Sequence, residues 1–448
     1  MKKRSTFGST FGTVAVVGGS VIGLGNIWRF PYIAGENGGA AFILIYICVA
    51  LLISVPIMLT EFTIGRAAQV NSMRAYQKVS GRRRWQGIGY LGIATAFTIL
   101  SFYSVIAGWG LEFIKESVIG EFMSMDSGQI KANFDAFIAT GWRPILWTTL
   151  FVIATAFIVG TGVEKGIERF NKYAMPLMFL ILVIMAVNSV TLSGFQEGAT
   201  FLLKPDFSKV TVRTVLTAMG QSFFSLSLGM GIMVTYGSYI RKGRNMFGIA
   251  GTVTIADSCI AILSGLAIFP AVFSFGINPT SGPDLVFLTL PNIFAQMAGG
   301  QIFSVMFFVL LFAAAITSSV SLLEVVVAWV HEEFKLKRRV ATAVAGAGAL
   351  GLAILCCLSQ MPGSSLSIGG LDLLNFFDKA TSLYMIPIGG LLVVIFAGWV
   401  VSKNLMRKEM TTHGRYGVEL FKLIYPLIKF VIPVIIAVLF LNELGVFK

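Results

Sequence analysis

Residues 18–32 read GGSVIGLGNIWRFPY, and this stretch decides how the chain folds. It lies inside an apolar segment, yet it carries four glycines, an asparagine and an arginine where a plain membrane helix would carry leucines. Glycine weakens a helix, and hydrocarbon tolerates unwound backbone only where the freed carbonyls line a cavity or meet a ligand. Free carbonyl oxygens suit a hard cation, so the stretch predicts a broken helix at a binding site.

The composition is that of an integral membrane protein. The 448-residue chain is 56% hydrophobic and 12% charged, which leaves too little charge for a soluble surface. Apolar runs near the ~20 residues that cross a bilayer recur about eleven times. We predict an all-α membrane protein that forms one domain over residues 1–448. The predicted spans cover roughly residues 10–34, 40–65, 88–115, 144–161, 170–192, 212–240, 247–275, 302–332, 340–359, 374–402 and 423–443.

The net charge of +13 is explained by the membrane topology of the basic residues rather than by a nucleic-acid interface. Most Lys and Arg residues fall in loops on the side that holds the N-terminus, which the positive-inside rule assigns to the cytoplasm. An odd number of spans then places the C-terminus outside. The basic start precedes no small-residue cleavage site, so we expect a retained first helix rather than a signal peptide. Nothing in the sequence indicates an oligomeric state.

The reactive residue types give no support to an enzyme or to a resident metal. All four cysteines lie within apolar spans without metal-ligand spacing, so a disulfide framework is not expected; they are Cys48, Cys259, Cys356 and Cys357. His331 and His413 both fall on the cytoplasmic side, and no nucleophile and base are paired within the spans.

A second span breaks like the first. The sequence SLSLGMG at residues 225–231 interrupts the sixth span, at the position in the second group of five spans where the glycine-rich stretch lies in the first group. Paired breaks of this kind are typical of an inverted-repeat transporter with its site at the membrane midplane. We predict repeats over residues 10–192 and 212–402, with residues 423–443 as an additional helix.

Four motifs resemble the neurotransmitter:sodium symporter family in its bacterial amino-acid branch. They are GLGNIWRFPY at residues 23–32, ENGG at 36–39, QSFFSLSLG at 221–229 and TSS at 317–319. The resemblance covers nearly the whole chain. The family often has twelve spans, whereas this chain has eleven.

The resemblance implies two sodium ions. The first site would use a backbone carbonyl, side chains and the carboxylate of the substrate; its residues are Val21, Asn26, Ser225 and Asp257. The family commonly has asparagine where Asp257 stands, and animal members bind chloride near Tyr46, Gln221 and Ser225. A carboxylate replaces that negative charge, so we expect no chloride requirement.

The second sodium site would use three carbonyls and two hydroxyls; its residues are Gly19, Ile22, Ala314, Thr317 and Ser318. Without the family alignment, the hydroxyls of Thr317 and Ser318 would be expected to bond the preceding helical turn. Gly166 and Pro176 resemble a motif thought to let the fifth span unwind and hydrate this site.

The substrate would be an amino acid. Gly23 stands where monoamine carriers have an aspartate, and glycine leaves room for a substrate carboxylate beside the sodium. The expected lining residues are Val21, Gly23, Gly25, Ile99, Tyr103, Phe224, Ser225, Ser227, Met230 and Leu322. Tyr103 would bond the carboxylate, Phe224 would cover the site, and the apolar lining favours a hydrophobic L-amino acid, large or aromatic ones included.

Gates follow from the same resemblance. Arg29 and Asp378 would close the extracellular side, and Arg4 and Glu332 the cytoplasmic side, where Phe7 replaces the usual tryptophan. Glu61 would brace the broken sixth span. Ser20, Glu112 and Glu324 receive no role.

These expectations combine into a sodium-coupled amino-acid symporter that works by alternating access. The alternative is a non-transporting sensor or channel on the same scaffold.

Overall fold

The structure, a computed structural model, describes residues 5–276 and 285–443. Within these ranges nine helices are long and apolar enough to cross a membrane, and the pair Thr10–Val21 and Gly25–Glu36, bent by 51°, makes a tenth. The interrupted pair Val212–Ser225 and Ile232–Gly237 stands where the sixth span was predicted. We number these elements as spans 1 to 11 in chain order.

The uninterrupted spans are, in order, Ala40–Ala68, Arg83–Ile119, Trp142–Gly160, Val163–Ser189, Met246–Ser274, Gly300–Glu333, Arg338–Ser359, Leu373–Val400 and Val418–Leu441. Shorter helices between them are Ser72–Ser80, Ser127–Ala139, Phe195–Leu203, Leu290–Gln296 and Lys403–Met410. A small antiparallel hairpin pairs Ser367–Ile368 with Leu371–Asp372 before span 10.

These bounds confirm the predicted all-α architecture, with one clear error. Span 5 was expected to begin at residue 170, but it begins at Val163. Its first turn contains Glu164, Lys165 and Glu168, so a hydropathy profile excludes it. The buried Glu168 carboxylate is satisfied within the fold, because it pairs with Lys172 at 2.8 Å and accepts a hydrogen bond from the Gly8 N–H at 2.7 Å. The inverted repeats of residues 10–192 and 212–402 stay a prediction.

The centre of the bundle is built on two long helices. The main helix of span 3, Gln86–Ile119, and span 8, Gly300–Glu333, each contain 34 residues, or ~50 Å at about 1.5 Å per residue. They pack along each other, and span 8 also packs on the first half of span 1 and on span 5. Both helices are longer than the ~30 Å thickness of the hydrocarbon layer. Span 8 packs against the second half of span 6 as well as the first half of span 1.

One end of the bundle, which we call the N-terminal face, is held by polar contacts between distant segments. Arg66 at the end of span 2 is fully buried there, and its Nε donates to Glu409 Oε2 at 3.2 Å. Its guanidinium also donates to the Arg244 carbonyl at 2.9 Å. On the same face Arg74 pairs with Glu333 in a half-exposed contact.

Replacing Arg66 by alanine should destabilise the fold strongly. The change leaves the Glu409 carboxylate buried without its cation, which costs about 3–5 kcal/mol in the free energy of unfolding. Arg74→Ala is the matched control, because an exposed ion pair contributes about 0–1 kcal/mol. Thermal melting of both variants in detergent measures the difference, and equal melting temperatures would contradict this account of the N-terminal face.

Candidate functional site

The two helix breaks face each other in the middle of the bundle. The first half of span 1 ends at Val21, Ile22 has extended backbone, and the second half begins with a π-helical turn at Gly25–Arg29. Span 6 leaves its helix after Ser225, and the Ser227 hydroxyl donates to the Ser20 carbonyl at 2.7 Å. This bond joins one break to the other, and it gives Ser20, which sequence reasoning left unassigned, a structural contact.

Two polar side chains satisfy backbone amides that the breaks release. The fully buried Glu61 accepts a hydrogen bond from the Gly229 N–H at 2.7 Å, the contact expected of a residue that braces span 6. The Tyr103 hydroxyl accepts from the Leu24 N–H at 3.2 Å. Because hydrocarbon offers no other partner, these two side chains help to make unwound backbone possible at this depth.

A small cavity of about 30 Å³ lies between the breaks. All ten residues expected to bind substrate line it, together with three that were not predicted for this role: Ser20, Ile232 and Ser318. A space of this size holds about two water molecules. A larger solute can enter only after lining side chains move.

The lack of a side chain at Gly23 keeps the polar part of this cavity open. A Cβ at this position would lie 2.2 Å from Ser318 Oγ and 3.3 Å from the Tyr103 hydroxyl. Any side chain at position 23 would therefore occupy the space in front of these two hydroxyls. The rest of the lining includes the buried apolar side chains of Ile99, Met230 and Leu322.

Beside the cavity lies the fully buried carboxylate of Asp257. Its Oδ1 accepts from Asn26 Nδ2 at 2.7 Å and from the Ser225 hydroxyl at 2.6 Å, while its Oδ2 accepts from the Tyr46 hydroxyl at 2.5 Å. The structure thus brings together three of the four residues predicted for the first cation, and the fourth, Val21, lines the adjacent cavity.

The surroundings of Asp257 lack positive charge. In residues 5–276 and 285–443, none of the ion pairs involves this carboxylate. Gln221, the third residue expected near a chloride ion, donates instead to the Gly25 carbonyl at 3.0 Å, and its Oε1 is buried without a hydrogen-bond partner in the described part of the chain. A charge buried in a membrane is costly unless it is paired, so a bound cation would stabilise the ionised carboxylate of Asp257.

The residues predicted for the second cation meet where span 8 crosses the first half of span 1. The Ser318 hydroxyl lies 3.5 Å from the Gly19 carbonyl oxygen, and a Cβ at Gly19 would lie 3.4 Å from the Thr317 Cβ. The Thr317 hydroxyl donates to the Ala314 carbonyl at 2.9 Å, the local bond that threonine usually makes in a helix. Ile22 lies at the end of the same helical half.

The two residues of the span 5 motif lie in different surroundings. Gly166 is inside a π-helical turn, Val163–Glu168, and a Cβ there would lie 2.1 Å from the Ile158 carbonyl oxygen of span 4. Pro176 lies within the following helix, Arg169–Ser189. Only glycine permits spans 4 and 5 to approach this closely.

The predicted outer gate is indirect. No salt bridge joins Arg29 to Asp378 in the described residues; instead Ser382 lies between them, donating to Asp378 Oδ1 at 3.2 Å and accepting from Arg29 at 3.5 Å. The Arg29 guanidinium also stands 4.7 Å from the centre of the Phe224 ring, in a cation–π contact. Sequence reasoning missed Ser382, although it lies one helical turn after Asp378.

The N-terminal face contains a buried ion pair that sequence reasoning did not assign. Glu324 accepts from the Tyr239 hydroxyl at 2.6 Å and from Arg338 at 2.5 Å, and Arg338 also donates to the Val159 carbonyl at 2.9 Å. These contacts join spans 4, 6, 8 and 9. Phe7 packs edge-on against Tyr239 and its N–H donates to the Tyr239 carbonyl at 3.1 Å.

The predicted inner gate is described only in part. Arg4 lies outside the described residues, while Glu332 accepts from the Asn71 N–H at 2.7 Å. At the opposite end of the bundle, Glu112 pairs with Lys115 at 2.8 Å and with Arg143, which ties span 3 to span 4.

Comparison with known proteins identifies the family. A model of the sodium:neurotransmitter symporter family matches residues 4–128 and 122–448. The chain belongs to this family. It is 37% identical to a sodium-dependent transporter of Bacillus subtilis over 99% of both chains, and 36% identical to one of Haemophilus influenzae, again over 99% of both. The crystal structure of MhsT in complex with L-phenylalanine superposes with a TM-score of 0.90 at 40% identity, covering 98% of this chain and 100% of that one.

Membership confirms the broad expectations. The chain is a sodium-dependent symporter of a small-molecule substrate, a multi-pass membrane protein and not an enzyme. Its helical fold is that of MhsT.

Replacing Gly229 by alanine should disrupt the break in span 6. Gly229 has φ of +73°, and an added Cβ would lie 2.7 Å from the Ile386 carbonyl oxygen of span 10. We expect loss of substrate binding together with about 1–3 kcal/mol of strain. Gly220→Ala, in open space on the same span, is the control and should bind normally. Equilibrium binding of labelled substrate distinguishes them; normal binding by Gly229→Ala would show that the break tolerates a side chain.

Proposed function

We propose that this symporter imports hydrophobic L-amino acids, large and aromatic ones included, together with two sodium ions and without chloride. The observation that carries the proposal is the Asp257 carboxylate, which is fully buried beside the cavity, bonded to Asn26, Ser225 and Tyr46, and without a basic partner in the described chain.

The first sodium ion binds beside Asp257. Its ligands are the Val21 carbonyl, the oxygens of Asn26, Ser225 and Asp257, and the carboxylate of the substrate itself. The Ser225 hydroxyl supports this assignment, because it lies 2.6 Å from Asp257 Oδ1 and 3.4 Å from Asn26 Oδ1 and so already gathers three hard oxygen atoms around one point. Since ion and substrate share the site, each raises the affinity of the other by the same factor.

Chloride is not required because the carboxylate already occupies its place. The hydrogen bonds from Tyr46 and Ser225, two of the residues near which animal members bind chloride, go to Asp257. A second anion beside the carboxylate would be repelled in this low-dielectric setting.

The second sodium ion binds to the carbonyls of Gly19, Ile22 and Ala314 and to the hydroxyls of Thr317 and Ser318. Support comes from the close approach of Gly19 to span 8. Unwinding of span 5 around Gly166 and Pro176 releases this ion to the cytoplasm.

The substrate class follows from the lining of the cavity. Gly23 leaves the hydroxyls of Tyr103 and Ser318 open to a carboxylate, whereas an aspartate there would fill that space and repel it. Ile99, Met230 and Leu322 offer an apolar surface to the side chain, and methionine adapts to different shapes. The MhsT complex with L-phenylalanine, at 40% identity, supports a large side chain.

Orientation and gating complete the proposal. The N-terminal face is cytoplasmic and the C-terminus is outside, in the bacterial plasma membrane. Arg29 and Asp378, linked through Ser382, form the outer gate. Arg4 and Glu332 form the inner gate, and the two halves, residues 10–192 and 212–402, act as inverted repeats during alternating access.

Uptake into proteoliposomes tests this function directly. Labelled L-phenylalanine should accumulate when sodium is high outside, and replacing chloride by gluconate should leave the rate unchanged. Uptake driven equally by a proton gradient without sodium would contradict the proposal. Sodium-dependent binding without uptake would favour a sensor on the same scaffold.

Asp257→Asn should weaken sodium binding or create a chloride requirement. The amide keeps an oxygen for the ion but loses the negative charge, so uptake in chloride-free buffer should fall by about tenfold, equivalent to about 1.4 kcal/mol. Adding chloride should restore part of the rate. Asp372→Asn, at the start of span 10 and outside the site, is the control. An Asp257→Asn variant that resembles wild type in both buffers would remove Asp257 from the sodium site.

A further inference from the structure

Span 5 turns two buried polar side chains toward span 1. Glu168 and Asn171 are both fully buried and lie one helical turn apart. A Cβ at Gly12 would lie 1.8 Å from Glu168 Oε1, and a Cβ at Gly19 would lie 1.8 Å from Asn171 Oδ1. Glycines in span 1 thus make room for each of these side chains. The Glu168 carboxylate accepts a hydrogen bond from the Gly8 N–H at 2.7 Å. Asn171 Oδ1 accepts no hydrogen bond from any described residue.

The orientation of the Asn171 amide is fixed by its own helix. Nδ2 donates to the Ile167 carbonyl at 2.9 Å, and the reversed amide would place two acceptors against each other. Oδ1 therefore faces Gly19. This oxygen is buried and has no hydrogen-bond partner within residues 5–276 and 285–443. Leaving a polar atom in this state costs about 1–3 kcal/mol, so packing alone does not account for it.

This oxygen lies beside residues that are assigned to the second sodium ion. Asn171 Oδ1 and the Thr317 Cβ both lie within 3.4 Å of the point where a Gly19 Cβ would stand, and Ser318 reaches the Gly19 carbonyl from the same helix as Thr317. A hard cation takes about six oxygen ligands. The five atoms assigned to the second sodium ion leave room for another.

We propose that Asn171 Oδ1 supplies a further oxygen to the shell of the second sodium ion, and that the same amide couples this ion to the first turn of span 5. This inference rests on the second sodium site of the proposed function. Ile167, whose carbonyl Nδ2 holds, belongs to the π-helical turn Val163–Glu168 that also contains Gly166. One amide therefore links the ion to the segment whose unwinding releases it.

The coupling has a direction. While the ion is bound, Oδ1 is held and Nδ2 stays on the Ile167 carbonyl. When the ion leaves, Oδ1 is no longer held, only the Nδ2 bond to the Ile167 carbonyl remains, and the turn opens more readily. Sodium therefore protects the backbone amides of residues 163–168 from hydrogen exchange, and their opening favours loss of sodium to the same extent.

Two variants distinguish the role of the Asn171 amide oxygen from the role of its amide nitrogen. Asn171→Leu removes oxygen and donor, so the affinity of the purified protein for ²²Na⁺ should fall about tenfold and sodium should no longer protect residues 163–168. Asn171→Asp keeps an oxygen and adds a negative charge but removes the donor; sodium affinity should be at least that of wild type while the sodium-dependent protection is lost. Asn188→Leu, on the same span and far from Gly19, should resemble wild type in both measurements.

The outcomes separate this inference from the function on which it rests. If Thr317→Ala binds ²²Na⁺ as wild type does, the second site is absent and the proposed function fails with it. If Thr317→Ala is weakened but Asn171→Leu is not, only the role of Asn171 is overturned. Should Asn171→Leu not fold, Asn171→Asp decides, because sodium-dependent protection equal to wild type would contradict the coupling.

Discussion

The structure depends on a buried carboxylate that has no basic partner in the part of the chain that the structure describes. Asp257 lies fully buried where the two helix breaks approach span 7, and its three hydrogen bonds come from neutral groups, Asn26, Ser225 and Tyr46. In hydrocarbon such a charge is costly without a counter-ion. In the proposed function sodium supplies this charge, and the Ser225 hydroxyl already lies close to oxygens of both Asn26 and Asp257.

The site also depends on the unwound backbone of spans 1 and 6. Breaking a helix in a membrane exposes amides and carbonyls, and here Tyr103 and Glu61 take up two of the amides while Ser227 ties Ser20 to the opposite break. The breaks are therefore held by side chains from spans 2 and 3 rather than by their own helices. This explains how a site can be rigid enough to select an ion although its backbone is irregular.

Much of this could be predicted from the sequence because the decisive signals are local. Glycine density and hydropathy located the spans and both breaks, and the family resemblance located ten of the thirteen residues that line the cavity. The failures concern contacts between distant segments. The helical start of span 5, the Ser382 link between Arg29 and Asp378, and the Glu324 and Arg338 pair each depend on a partner from elsewhere in the chain. Asn171 resembles any polar residue of an apolar helix in the sequence, and it is distinguished by an oxygen that is buried against Gly19 without a hydrogen-bond partner among the described residues.

The central claim is that sodium and the substrate carboxylate complete one site between the two breaks. Its most direct test measures the binding of sodium to the purified protein in a titration. The titration is done without a second ligand, with L-phenylalanine, and with its decarboxylated analogue phenethylamine. The account predicts that L-phenylalanine raises the affinity for sodium by the same factor by which sodium raises the affinity for L-phenylalanine, and that phenethylamine has no such effect. Equal coupling by the amine, or a sodium affinity unchanged by the amino acid, would contradict it.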